Sequence, residues 1–361
     1  MGELQIMIKL TPIIASELVA AAKQLIQQAT RVVILTHMSP DGDAMGSSLA
    51  MRHFLEAQGK QVNVIVPNSF PDFLAWLPKA NEHIIYETSS DKANHLMEQA
   101  ELVICTDFND PKRIGSLGDK LLTLSCKKMM IDHHLHPASF PDLTISYPAT
   151  PSTCELVFRL INSLATDNSQ LSTDIATCIY TGMMTDTGNF SFNSNYPEMY
   201  KIVGELVAAG VNKDEIYNRV FNAYSADRMR LMGYCLYQKM KIFPEYHTAL
   251  IYLSRKELYR FNFKSGDAEG IVNLPLQIKD IHYSCFMRED KVNPTEKELA
   301  NGSKTKIKIS LRSQGDRPVN IFAHDIFGGG GHANASGGEY YGPLPEAVQK
   351  FIDNYQTYFN K

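Results

Sequence analysis

The chain has 361 residues, more than one domain of ordinary size needs, and carries 35 Lys and Arg against 39 Asp and Glu, a net charge of −4. With 44% hydrophobic and 20% charged residues it can bury a substantial core, which excludes a disordered, collagen-like or low-complexity chain. A pI near 6.3 lacks the basic excess of a protein that coats long nucleic acid, but leaves small anionic ligands open.

Six scattered cysteines (Cys105, Cys126, Cys154, Cys178, Cys235, Cys285) form no CxxC pair and are expected as reduced core thiols. No basic segment followed by an apolar run and a cleavage site opens the chain, and Ile13–Ala22, interrupted by Ser16 and Glu17, is too short to cross a bilayer. A cytoplasmic protein without a membrane partner is expected.

In chain order, helical periodicity over Pro12–Gln28 precedes the β-branched run Arg31–Thr36, and a helix is expected over Ala44–Gln58. Further buried strands are expected at Gln61–Val66, Leu102–Thr106 and Lys128–Ile131, an α/β alternation that predicts a parallel, doubly wound sheet. From Ser152 to Met240 the pattern is mostly helical, with helices over Pro197–Ala209, Lys213–Phe221 and Ser225–Met240. Strands return at Tyr246–Leu253, Ile281–Arg288 and Thr305–Arg312, with helices at Arg255–Phe261 and Pro318–Phe327, which predicts a smaller α+β domain. The polar stretch Glu289–Lys304 suggests an exposed hairpin loop or mobile insertion. The expected division is a catalytic, metal-binding domain over 1–195, a helical connector over 196–240 and a substrate-binding domain over 241–361. The first 240 residues carry a net −6 and the remainder a net +2, so the back part is the better anion binder.

The chemistry sits at strand ends. After Arg31–Thr36 comes His37-Met38-Ser39-Pro40-Asp41-Gly42-Asp43; Asp107 ends Leu102–Thr106; Asp132-His133-His134 ends Lys128–Ile131. Loops at the carboxyl ends of parallel strands share one edge, so these groups are expected to meet, with Asp186 as a further member. Each acid alone has a plain reading: Asp41 and Asp43 as helix caps, Asp107 as a turn residue. Together, four or five carboxylates would repel one another unless cations neutralised them, and a set of carboxylates and imidazoles without thiolate suits Mn2+ or Mg2+ ahead of Zn2+ or Fe2+. Two ions fit the ligand count better than one.

His37-x-x-x-Asp41-x-Asp43 with Gly46-Ser47, Asp107, Asp132-His133-His134 and Asp186 resembles the DHH phosphoesterase superfamily. Gly328-Gly329-Gly330-Gly331-His332-Ala333-Asn334-Ala335-Ser336-Gly337 is similar to the signature of the DHH-associated domain in NrnA-like oligoribonucleases. The resemblance implies that His37 and Asp41 hold one Mn2+, Asp43 and His133 a second, and that Asp107 and Asp186 bridge or contact both. It implies that His134 faces the substrate phosphate, with Asp132 behind the ligands to orient them, and that Arg312 lies against the phosphate.

The glycine run formally contains G-x-G-x-x-A, but no strand is expected before it and no lysine follows, which argues against a dinucleotide or P-loop turn. Gly329, Gly330 and Gly331 let backbone N–H groups approach an anion, and His332 and Ser336 favour binding over a simple hinge or tight turn. Lys306, Lys308, Ser310 and Arg312 are expected on one strand face, the lysines as a solvated face. Arg113 is a second candidate phosphate ligand, equally readable as a surface residue, and Phe190 and Phe192 are expected in the core. The resulting expectation is a two-metal phosphoesterase acting on short RNA, dinucleotides or 3′-phosphoadenosine 5′-phosphate held in the cleft between the domains, with long nucleic acid disfavoured and a homodimer left open. A phosphoanhydride hydrolase acting on pyrophosphate or polyphosphate is the alternative, and a non-catalytic nucleotide sensor the second.

Overall fold

The computed structural model describes residues 10–165, 171–264, 266–290 and 305–359. The chain divides into two compact units, Met1–Ala223 and Tyr224–Lys361. This division falls inside the stretch 196–240 expected as a connector. The expected loop over Glu289–Lys304 lies, from residue 291, outside the described residues.

The first unit is built on β1 (Arg31–Leu35), β2 (Gln61–Val66), β3 (Ile84–Ile85), β4 (Leu102–Thr106), β5 (Lys127–Asp132) and β6 (Leu143–Ser146). All neighbours are parallel, in the order β3-β2-β1-β4-β5-β6, so the doubly wound sheet is observed, with its switch point between β1 and β4. Alternation along β1 feeds both faces. Val32 and Ile34 join the core beneath α1 (Ser16–Gln28), α2 (Gly42–Glu56), α5 (Thr153–Leu164) and α6 (Thr173–Asp186). Val33 and Leu35 join Ala93 and Met97 of α3 (Tyr86–Gln99) and Leu117 and Leu121 of α4 (Ser116–Thr123). Met199, Ile202 and Leu206 of α7 (Pro197–Ala208) and Ile216 and Val220 of α8 (Lys213–Phe221) complete the first of these cores.

Two glycines let α2 and α6 approach closely. A β-carbon on Gly46 would lie 2.5 Å from the Cys178 carbonyl and 2.9 Å from Cys154 Sγ, and one on Gly182 would overlap Cys154 Sγ and lie 2.9 Å from Asp43 Oδ1. Asp43 in the first turn of α2 and Asp186 at the end of α6 are thereby brought to one edge of the sheet.

The second unit has a six-stranded sheet, opened by β7 (Lys241–Phe243), whose strands are antiparallel except for β8 (Thr248–Leu253) with β9 (Tyr283–Glu289). Helices Asn320–Phe327 and Leu344–Tyr358 cover one face through Phe322, Phe327, Phe351 and Tyr355. Leu231, Leu258, Phe263 and Ile271 cover Ile251, Leu253 and Phe286 on the other. In β10 (Lys306–Ser313) Ile307, Ile309 and Leu311 are buried, while Lys306, Lys308, Ser310 and Arg312 share the opposite face as expected. The glycine run serves two elements. Gly328 ends its helix at φ +60°, and Gly330–His332 is an edge strand, β11, paired with β12 (Ala335–Tyr341). A β-carbon at Gly329 would overlap the Gly337 carbonyl, so backbone proximity, which no hydrophobic periodicity encodes, selects glycine there. The six cysteines are free thiols, five of them buried.

Candidate metal centre

Each candidate ligand on the parallel sheet leaves from the carboxyl end of a strand. His37 follows β1, with Nε2 3.7 Å from Asp41 Oδ1 and 3.4 Å from Asp107 Oδ2. Asp107 follows β4 in the left-handed region at φ +64°, uncommon for a residue with a side chain, and donates its N–H to the Ile131 carbonyl at 3.1 Å. His133 follows β5, with Nε2 3.9 Å from Asp43 Oδ2, 3.6 Å from Asp107 Oδ1 and 3.3 Å from Asp186 Oδ2. The six residues His37, Asp41, Asp43, Asp107, His133 and Asp186 therefore meet at the topological switch point.

Three triads there present donor atoms within 4.8 Å of one another: His37 with Asp41 and Asp107, Asp43 with Asp107 and His133, and Asp107 with Asp132 and His134. The first two contain only expected metal ligands, and Asp107 belongs to both of them. Carboxylate oxygens and imidazole nitrogens in this mixture match a hard to borderline divalent cation, so the residues fit the ions expected from the sequence.

The packed charges of the cluster shift one another's protonation. Burial opposes charge on His37, yet Asp41 and Asp107 outweigh it and lift the imidazole to about 10. His133 is likewise opposed by burial and lifted by Asp186, Asp107 and Asp43 to about 9. Burial, then Asp107 and Asp186, push the Asp43 carboxyl up. Asp186 rises to about 7, driven by burial against the pull of His133 and reinforced by Asp41 and Asp107. Asp41 and Asp107, although buried, are held low by the neighbouring His37. Without cations the cluster retains protons to offset its carboxylates.

The plain reading of Asp41 as a helix cap holds, and the same carboxylate is turned toward the cluster. It caps α2, Oδ1 accepting from the Asp43 and Ala44 N–H groups at 3.1 and 3.0 Å, and the same carboxylate faces His37. Asp132 is fully buried and accepts from the His134 N–H at 2.9 Å, while its Oδ1 lies 2.8 Å from His134 Nδ1. His134 Nδ1 is also 3.7 Å from Asp107 Oδ1. His133 Nδ1 lies 3.1 Å from the Thr150 carbonyl, which orients Nε2 toward the carboxylates.

Sequence reasoning missed the support that α5 provides. Thr153 N–H donates to Asp43 Oδ2 at 2.6 Å, Cys154 N–H donates to Asp43 Oδ1 at 2.9 Å, and the Thr153 hydroxyl donates to Asp107 Oδ1 at 2.9 Å. The available signal was Ser152-x-x-Glu155, a helix-start pattern that places the following N–H groups at an anion.

Arg113 is half-buried, and its carbonyl accepts from the Met38 N–H at 2.9 Å, bracing the loop after His37; no ion pair of its side chain occurs among the described residues. In the second unit Arg312 Nη1 donates to the Leu311 carbonyl at 2.9 Å, and the Ser336 hydroxyl donates to the His332 carbonyl at 2.7 Å, closing the β11–β12 turn. By strand register Arg312 pairs with Ala335, which pairs with His332, and Ser310 pairs with Gly337, which pairs with Gly330. Arg312 and His332 thus occupy one row of the sheet, Ser336 and Gly331 the next, and Gly337 and Gly330 the one after. Phe190 packs against the core with Tyr180, whereas Phe192 is 53% exposed, against the core expectation. No helix among the described residues is long and apolar enough to cross a membrane.

Residues 31–183 match the DHH family, N-terminal domain. The chain is 29% identical over 323 residues to the bifunctional oligoribonuclease and PAP phosphatase NrnA of Thermus thermophilus, covering 89% of this chain and 88% of that one. It is similar to the crystal structure of an exopolyphosphatase-related protein from Bacteroides fragilis, with 47% identity, 97% and 98% coverage and a TM-score of 0.87. A RecJ structure from Thermus thermophilus in complex with Mn2+ shares the fold at 10% identity and TM-score 0.55, covering 98% of this chain and 57% of that one.

Proposed function

Because the chain belongs to the DHH family and is a phosphoesterase, we propose that it hydrolyses phosphoester bonds in short oligoribonucleotides, dinucleotides or 3′-phosphoadenosine 5′-phosphate with two divalent ions, Mn2+ ahead of Mg2+. The observation that carries this reading is Asp107, whose carboxylate, on a left-handed backbone, is common to the two triads of expected ligands at the switch point of the sheet. His37 and Asp41 would hold one ion, Asp43 and His133 the other, with Asp107 between them and Asp186 beside His133. Ions bound there would polarise phosphoryl oxygens and lower the pKa of an attacking water.

The protein's own groups do the remaining work. Asp132 at Nδ1 fixes the ring of His134, whose Nε2 would face a phosphoryl or leaving oxygen. In the second unit, Arg312 offers a planar fork for phosphate, and His332, Ser336 and the glycines Gly329, Gly330 and Gly331 suit the close approach of a nucleotide. Arg113 is a further candidate phosphate ligand. A small nucleotide is the expected partner, with long nucleic acid disfavoured by the acidic balance.

A phosphoanhydride hydrolase is the second reading, favoured by the name of the Bacteroides fragilis protein. Against it, Lys306 and Lys308 are paired with Glu339 and Asp290 and so are poorly placed to form the cation cluster that inorganic polyphosphate requires. Turnover of short RNA, 3′-phosphoadenosine 5′-phosphate, cyclic di-AMP and pyrophosphate with Mn2+ separates the two. Hydrolysis of nucleotides with an Arg312→Ala variant impaired on them is expected; turnover of pyrophosphate alone would reject the first reading.

A further inference from the structure

We infer that Thr153 is a positioning residue that holds Asp107 as the carboxylate shared by both ligand triads and ties it to Asp43. The inference rests on the two-metal reading above.

The Asp107 backbone is already fixed by its hydrogen bond to Ile131 and its left-handed conformation. The orientation of its carboxylate is left to its contacts, because the terminal sp3–sp2 torsion of Asp is intrinsically broad. Sharing depends on that orientation: Oδ2 faces His37 at 3.4 Å while Oδ1 faces His133 at 3.6 Å. Thr153 supplies a lock for Oδ1 through its hydroxyl at 2.9 Å, and the same residue binds Asp43 through its N–H at 2.6 Å. One side chain and one amide at the start of α5 thus set a carboxylate from β4 and another from α2.

Helix capping does not account for the hydroxyl. Ser152 already caps α5, its Oγ accepting from the Glu155 N–H at 3.1 Å. Thr153 is fully buried, so its hydroxyl is not answering solvent either. Valine at this position keeps the shape and the N–H but loses the hydroxyl, and serine keeps the hydroxyl.

The test titrates Mn2+ into wild type, Thr153→Val, Thr153→Ala and Thr153→Ser by calorimetry and records Mn2+ electron paramagnetic resonance. Wild type and Thr153→Ser are expected to take up two ions with an exchange-coupled spectrum. Thr153→Val and Thr153→Ala are expected to lose the coupling and bind the second ion about 10- to 100-fold more weakly, with circular dichroism and Trp76 fluorescence unchanged. Wild-type coupling and affinity in either variant lacking the hydroxyl overturns the inference while leaving the two-metal reading intact, as does loss of coupling in Thr153→Ser. Fewer than two ions on the wild type overturns both.

Discussion

Gly46→Ala tests whether the close approach of α2 and α6 sets the metal centre. The added carbon would sit 2.5 Å from the Cys178 carbonyl, a backbone atom that cannot rotate away. A carbon and a carbonyl oxygen rest at about 3.3 to 3.6 Å, so the helices must part by roughly 1 Å. Asp43 rides on α2 and Asp186 on α6, and a displacement of that size in a catalytic constellation costs on the order of 100-fold in rate. Stability should change much less. Overpacking costs about 1 to 3 kcal/mol, and alanine recovers about 0.8 to 1 kcal/mol of helix propensity, leaving about 0 to 2 kcal/mol. For a unit of this size that is a fall in Tm of at most about 8 °C. Gly204→Ala in α7 is the control, since its β-carbon would meet nothing within 4 Å, and it should gain about 0.5 to 1 kcal/mol at unchanged rate. Steady-state kinetics with saturating Mn2+ and thermal melts measure both. Gly46→Ala with a rate within about threefold of wild type would refute the reasoning.

Asp107→Asn should abolish Mn2+-dependent hydrolysis with the fold intact, because asparagine tolerates the φ of +64° but brings no charge to either triad; a variant keeping most of its activity and its Mn2+ stoichiometry would refute the shared-ligand role. Mn2+ affinity should rise from pH 6 toward pH 9, since ligation needs neutral imidazoles and His37 and His133 stay protonated up to about 10 and about 9. Calorimetry in buffers of different ionisation enthalpy should then show protons released on binding, and their absence at pH 7 would contradict the electrostatics. Glu257 closes a capping box with Ser254 and binds Lys239 at 2.8 Å, partners that outweigh burial and lower its pKa from 4.5 to about 2. A depressed folded pKa stabilises above the unfolded value, so about 1 kcal/mol, discounted for solvent screening, is present above pH 4.5 and lost as pH falls through 2. The stability gap between wild type and Glu257→Gln in urea titrations should shrink across that window, and a constant gap would reject the assignment.

Much of the fold was legible because local period encodes it. Gln61–Val66 and Leu102–Thr106 are strands over the expected residues, and Lys213–Phe221 is a helix as expected, since apolar runs and capping signals act within a few residues. Leu143–Ser146, with only four residues, and Gly330–His332, with two glycines, carry no such pattern, and their pairing with β5 and β12 makes them strands.

The sequence by itself determined the chemistry of the centre, because acids and histidines placed after parallel strands must share an edge. Tertiary structure alone decided which oxygen of Asp107 meets His37 and which meets His133, and that Thr153 and Cys154 hold Asp43 across 110 and 111 positions of chain. Such contacts depend on strand order and on how closely glycines let helices pack, and both are properties of the folded chain that no local pattern records.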